Sequence, residues 1–213
     1  MADVPFPEPS ADELLVNVAA AGVNYRDVYE REGRYGGDLP AIIGVEGAGS
    51  VVSTGERVAW VSAPGSYAEQ VAVRADRAVP IPDGLSEELA AAALLQGITA
   101  QYLCTSTHVV QAGEIVLVHA AAGGVGRLLT QLVAMRGGRV IATTSNEEKA
   151  QLAREAGAAE VIGYERFGER VKELTGGRGV DVVYDGVGAA TFDESLASLR
   201  PRGDLVLYGA ASG

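Results

Sequence analysis

The run Val116-Leu-Val-His-Ala-Ala-Ala-Gly-Gly-Val-Gly126 constrains this chain more than any other stretch. An apolar strand enters, and glycines crowd its end at Gly123, Gly124 and Gly126. Leu128, Leu129, Leu132, Val133 and Met135 then follow at helical spacing. A strand that passes into a helix through glycines is a phosphate seat. The helix start offers N–H groups without intrahelical partners and the positive end of its dipole. Glycines let backbone approach a pyrophosphate with no Cβ between them. Read as G-x-G-x-x-G, the run matches at Gly123 and Gly126, and Ala121 replaces the first glycine.

The surroundings support that reading. From Glu114 onward, strands expected near 115–120, 139–143, 160–163, 181–185 and 204–208 alternate with helices near 124–136, 147–156, 166–175 and 190–198. Such alternation implies an α/β fold, a doubly wound parallel sheet with helices on its faces. The first part differs. Residues 1–10 hold three prolines and read as an extended lead-in. Strands are expected over Glu13–Val23, 42–54, 57–61 and 66–73, with a short helix over Asn24–Arg31, which suggests a small β barrel or sandwich. The character changes at Pro80-Ile-Pro-Asp-Gly84. There Ser86 is a plausible N-cap for a helix running to Leu95.

The end of the second parallel strand bears on cofactor type. NAD sites carry a carboxylate about 20 residues past the glycine turn. Here the strand ends Ala142-Thr-Thr-Ser-Asn146, with Ser145 and Glu148 expected as a capping box and Lys149 next. A hydroxyl-rich end beside a cation suits a 2′-phosphate, so NADPH is favoured. Loops at Asp185-Gly-Val-Gly188 and Tyr208–Gly213 also lie at strand C-termini, where α/β sheets bind ligands.

Other chemistries find little support. The net charge of −11 argues against nucleic acid and anionic membrane as partners. Only Lys149 and Lys172 are lysines. The single cysteine, Cys104, excludes an internal disulfide framework and fits a cytoplasmic setting. No apolar run approaches the ~20 residues of a membrane span, and the first residues do not read as a signal peptide. His108 and His119 lack ligand partners at short spacing, and His119 reads as a core or rim residue. With no nucleophile elbow, the chemistry falls to a bound cofactor.

Taken together, Ala120–Gly126, Asn24-Tyr-Arg-Asp-Val-Tyr-Glu-Arg31, Gln96-Gly-Ile-Thr99 and Val183–Gly188 resemble the zinc-independent quinone oxidoreductases of the medium-chain dehydrogenase/reductase superfamily. The resemblance implies a GroES-like catalytic domain over residues 1–82 and a Rossmann domain over 83–213, with NADPH between them. It also implies hydride transfer, without metal, to a small-molecule quinone or other electron-poor alkene. By match of motif, Asn24 and Tyr29 would face nicotinamide and substrate, and Asp27 would brace their loop. Gln96 and Thr99 would lie near the nicotinamide. Ala122, Gly123, Gly124, Val125 and Gly126 would hold the pyrophosphate. Ser145, Lys149 and Tyr164 would surround the 2′-phosphate, and Val187, Tyr208 and Gly209 would complete the nicotinamide end. Val45 stands where zinc-dependent relatives carry a histidine. The family forms homodimers through a last Rossmann strand that this sequence stops short of, so an incomplete sheet is expected. Two alternatives remain: an enoyl reductase acting on enoyl thioesters, and a non-catalytic NADPH-binding homologue.

Overall fold

A computed structural model describes residues 4–36 and 40–213. Residues 1–3 of the expected lead-in lie outside the described residues, and residues 4–10 form no regular element. The chain divides into two compact units, Met1–Leu95 and Gln96–Gly213.

The first unit is built on an antiparallel sheet of β1 (Glu13–Ala21), β2 (Gly47–Val51), β3 (Arg57–Trp60), β4 (Gln70–Arg74) and β5 (Ala78–Pro80). Its order is β4-β1-β2-β3-β5. The two edge strands are joined by a single turn, Ala75–Arg77. A flat sheet would hold those edges about 19 Å apart, since neighbouring strands lie ~4.8 Å from each other. The connecting residues reach at most about 14 Å. The sheet therefore curls on itself toward a barrel around Val16, Val58, Trp60, Val71 and Val73. The β segment expected from residue 42 begins only at Gly47, because Gly44 sits at φ +94° and breaks the extended run. Strand β5 was not foreseen; its short sequence ends in proline, which suits an edge. Between β1 and β2 lies α1 (Tyr25–Arg31), begun at Asn24.

Helix α2 (Glu87–Tyr102) starts where Ser86 Oγ accepts the Leu89 N–H. It runs well past the expected Leu95 and ends in a π turn over Leu103–Thr107. Gly97 does not stop it, since glycine inside a helix costs only about 1 kcal/mol.

The second unit is a parallel sheet in the order β10-β9-β6-β7-β8. Its strands are β6 (Ile115–Val118), β7 (Arg139–Thr143), β8 (Glu160–Ile162), β9 (Val180–Asp185) and β10 (Leu199–Leu207). The connections are α3 (Gly124–Met135), α4 (Glu147–Glu155), α5 (Phe167–Leu174) and α6 (Phe192–Ser198). Strand alternation divides the core in two. Val116, Val118, Val140, Ala142, Val182 and Tyr184 face one side, packed with Leu129 and Val133 of α3. Leu117, Ile141 and Val183 face the other, against Phe167 and Val171 of α5. The strand order reverses at β6, and an α/β sheet binds ligands at the C-terminal edge of such a switch point.

Candidate functional site

The glycine turn lies at that edge. Strand β6 is extended by His119, whose N–H donates to Tyr184 O. Ala120 then turns at φ +48°, a left-handed value uncommon outside glycine. Its N–H donates to Tyr164 Oη at 3.0 Å, and its carbonyl accepts the Gly123 N–H at 2.8 Å. A Cβ on Gly126 would lie 2.3 Å from Ala120 O, so only glycine fits where the helix crosses the turn. Gly123 is the N-cap of α3 and brings no capping side chain, so the first-turn N–H groups have no side-chain acceptor from the cap. Gln96 of α2 is buried over the turn, where a Cβ on Gly124 would meet its Cγ at 2.9 Å. Thr99 follows at i+3 on the same helix face.

The next loop carries the cation. Helix α4 is capped by Asn146, whose Oδ1 accepts the Lys149 N–H at 2.9 Å. The N-cap thus falls at Asn146, one residue after the expected Ser145, and Glu148 is not at the N3 position that the expected capping box requires. Ser145 is released for another role: Lys149 Nζ donates to its Oγ at 3.2 Å. The end of β7 runs Thr143-Thr-Ser-Asn146 with no acidic residue of its own, and Thr143 and Thr144 are buried. Tyr164, bonded to Ala120, stacks on the His119 ring at 6.0 Å between centroids.

At the other side of the switch point, Asp185 Oδ1 accepts the N–H groups of Val187 and Gly188 at 2.8 and 3.1 Å. Tyr208 packs its ring on Gly186, and Gly209 lies against Gly186 O. Burial pushes the Tyr208 phenol well above its ordinary range. The Val187 carbonyl accepts from both the N–H and the hydroxyl of Ser212, which ties the two loops together.

Asn24 and Tyr29 belong to the first unit. Asp27 Oδ2 accepts the Asn24 N–H at 2.8 Å and the Tyr67 hydroxyl at 2.7 Å, the bracing expected of it. The Asn24 amide donates to Glu46 Oε2 at 2.8 Å, and Glu46 Oε1 accepts the Leu95 N–H at 2.6 Å. Glu46 is wholly buried and was not singled out by the sequence. Tyr29 packs edge-on against Tyr25 and Tyr35, with the Arg34 guanidinium over its ring.

One layer escaped the sequence reading. His119, Thr143 and Asp185 are all fully buried, and each sits two residues beyond Leu117, Ile141 and Val183. They form a polar tier above the apolar one, on the same face. His119 Nδ1 lies 2.8 Å from Thr143 Oγ1, and Nε2 lies 2.9 Å from Ser195 Oγ. Ser195 and Thr191 donate to Asp185 Oδ2 at 2.9 and 2.7 Å. Burial holds the imidazole down to about 4, against the pull of Asp185 and Glu194, so the ring is neutral. The signal was present as an apolar-x-polar step at equivalent places in three neighbouring strands.

A curled antiparallel unit followed by a doubly wound unit with a glycine turn defines a medium-chain dehydrogenase/reductase. Two family models match: the alcohol dehydrogenase GroES-like domain over residues 10–83 and the zinc-binding dehydrogenase over residues 124–213. A quinone oxidoreductase of Pseudomonas aeruginosa is 43% identical, covering 97% of this chain and 67% of its own. A 2-haloacrylate reductase of a Burkholderia species is 39% identical, covering 99% of this chain and 69% of its own. A mycobacterial protein solved with NADPH is 48% identical with a TM-score of 0.96, covering 100% of this chain and 70% of its own. The chain belongs to the quinone oxidoreductase family of the medium-chain dehydrogenase/reductase superfamily. It spans about two thirds of the length of these relatives.

Proposed function

We propose that this chain is an NADPH-dependent oxidoreductase that reduces a quinone, or another electron-poor alkene, without a metal. The observation that carries the reading is the Lys149–Ser145 pair at the end of β7. A carboxylate there would repel a 2′-phosphate, whereas an ammonium and a hydroxyl supply charge-assisted donors to one. The mycobacterial structure with NADPH supports the same cofactor. The first-turn N–H groups of α3, from Gly124 to Gly126, would hold the pyrophosphate. Gln96, Thr99, Val187, Tyr208 and Gly209 would bound the nicotinamide end, with Tyr164 near the 2′-phosphate.

The bound cofactor supplies a hydride. The protein's work is to hold the acceptor in reach, orient it and exclude competing water. Asn24 and Tyr29 are the side chains we assign to this, with Asn24 held by Glu46 and its loop by Asp27. Val45 is a buried apolar side chain, and among the described residues no group of three or more His, Cys, Asp and Glu is placed for a metal. We place the enzyme in the cytoplasm, a reducing setting in which its single cysteine, Cys104, stays a free thiol; among the described residues no helix is long and apolar enough to cross a membrane.

The 2-haloacrylate reductase among the relatives favours a second reading, an activated alkene acid as acceptor. Oxidation of NADPH followed by nicotinamide absorbance, with a benzoquinone, an acrylate or an enoyl thioester as acceptor, separates them. We expect quinone turnover that is indifferent to a chelator, and a changed acceptor preference in Tyr29→Phe. Turnover of the thioester alone would make the chain an enoyl reductase and not a quinone reductase, and turnover of none of the three acceptors, or loss of activity on chelation, contradicts the proposal. Unchanged turnover and preference in Tyr29→Phe remove that residue from the site.

A further inference from the structure

The polar tier has a direction, which follows from hydrogen-bond accounting. The Asp185 carboxylate only accepts, so the Ser195 proton is committed to its Oδ2. Ser195 Oγ therefore accepts from His119 Nε2–H, which leaves Nδ1 to accept the Thr143 hydroxyl. One chain of donors runs Thr143 to His119 to Ser195 to Asp185. It ends on the loop beyond, because Asp185 Oδ1 takes the Val187 and Gly188 N–H groups. It begins on the other side, where the Thr143 carbonyl accepts the Ala121 N–H of the glycine turn.

Filling this space does not call for polar side chains. The apolar layer beneath the tier already fills the face, and His119 is closed in by Phe167 edge-on at 4.8 Å and by Tyr164. Replacing every partner by apolar groups of like shape is often neutral for stability. What a satisfied buried network adds is a unique geometry. Here it joins the glycine turn to the Asp185–Gly188 loop, two segments far apart in sequence.

We propose that His119 is a positioning residue: through Ser195 and Asp185 it fixes the Val187–Gly188 loop relative to the glycine turn, and so sets the aim of the nicotinamide. The inference rests on the proposed NADPH site, with Val187 at its nicotinamide end. It predicts dependence on one ring nitrogen. Glutamine carries an amide nitrogen at the depth of Nε2 and keeps the donor to Ser195. Asparagine reaches only the depth of Nδ1 and keeps the Thr143 side alone.

The test measures amide exchange at Val187 and Gly188 in the cofactor-free protein, then NADPH affinity and turnover, for His119→Gln, His119→Asn and Ser195→Ala. In His119→Asn and Ser195→Ala we expect these two amides to exchange at least about tenfold faster, with Val171 on α5 unchanged. Turnover should fall roughly ten- to a hundredfold, with NADPH affinity within about threefold, as misplacement of a reacting group predicts. His119→Gln should stay near the wild type in both. Ser195→Ala keeps the test open if His119→Asn does not fold. Equal losses in the Gln and Asn variants, or exchange that rises equally at Val171, would overturn the proposal. Failure of the wild-type protein to bind NADPH would instead strike the functional reading, since the exchange measurement needs no cofactor.

Discussion

Ala120 holds a left-handed backbone in the middle of the glycine turn, a conformation that costs a non-glycine residue about 1–3 kcal/mol. The residues around it explain why it persists. Its N–H is held by Tyr164, its carbonyl by Gly123, and Gly126 leaves the space that the carbonyl needs. Gly126→Ala would place a methyl 2.3 Å from that oxygen and 2.9 Å from Ala121 Cα. Backbone cannot yield as a side chain can. The variant should lose about 1–3 kcal/mol of stability, the usual cost of overpacking, and bind NADPH at least tenfold more weakly. Thermal melting and fluorescence titration check it, and an unchanged affinity would mean the turn does not seat the cofactor. At this scale the sequence was uneven. Glycines advertise close approach, so the turn was legible. The buried polar tier was not, because His119, Thr143 and Asp185 lie 24 and 42 residues apart along the chain. They meet only once β6 sits between β7 and β9.

The elements were more readable than their ends. Periodicity placed α3 to α6 and the parallel strands, because the whole of each element contributes to it. Caps depend on single residues. Asn146 takes the position expected of Ser145, since both are good N-caps and sequence gives no ground to choose. One clasp between elements also depends on pH. His108, just after the π turn, places Nδ1 2.6 Å from Asp204 on β10 and Nε2 3.0 Å from Glu114 before β6. Burial alone would lower its pKa, but the two carboxylates outweigh this and raise it. A raised folded-state pKa adds stability that is complete below the unfolded value of about 6.5. That stability is lost as pH climbs through the folded value. His108→Gln should therefore lower the melting temperature at about pH 6 and change it little at about pH 9. An equal effect at both would show that the charge on His108 does not hold the clasp.

At the scale of the whole molecule, the two halves were distinguishable by their patterning. Short strands with frequent turns gave the first unit, and alternating strands and helices gave the second. Those short strands suggested a small barrel or sandwich, and choosing between the two needed the strand order. The curling of the first sheet follows from the three-residue link between its edges, which matters only once that order is known. The order of the second sheet brings the glycine turn, the Lys149 loop and the Asp185 loop to one edge, and cofactor choice follows from that convergence. Parallel titrations with NADPH and NADH, on the wild type and on Lys149→Ala, test it most directly. NADPH should bind at least tenfold more tightly than NADH, the worth of a charge-assisted contact of about 1.5 kcal/mol, and Lys149→Ala should erase most of that difference by weakening NADPH alone. Equal affinity for the two cofactors, or a preference for NADPH that survives in Lys149→Ala, would contradict the account.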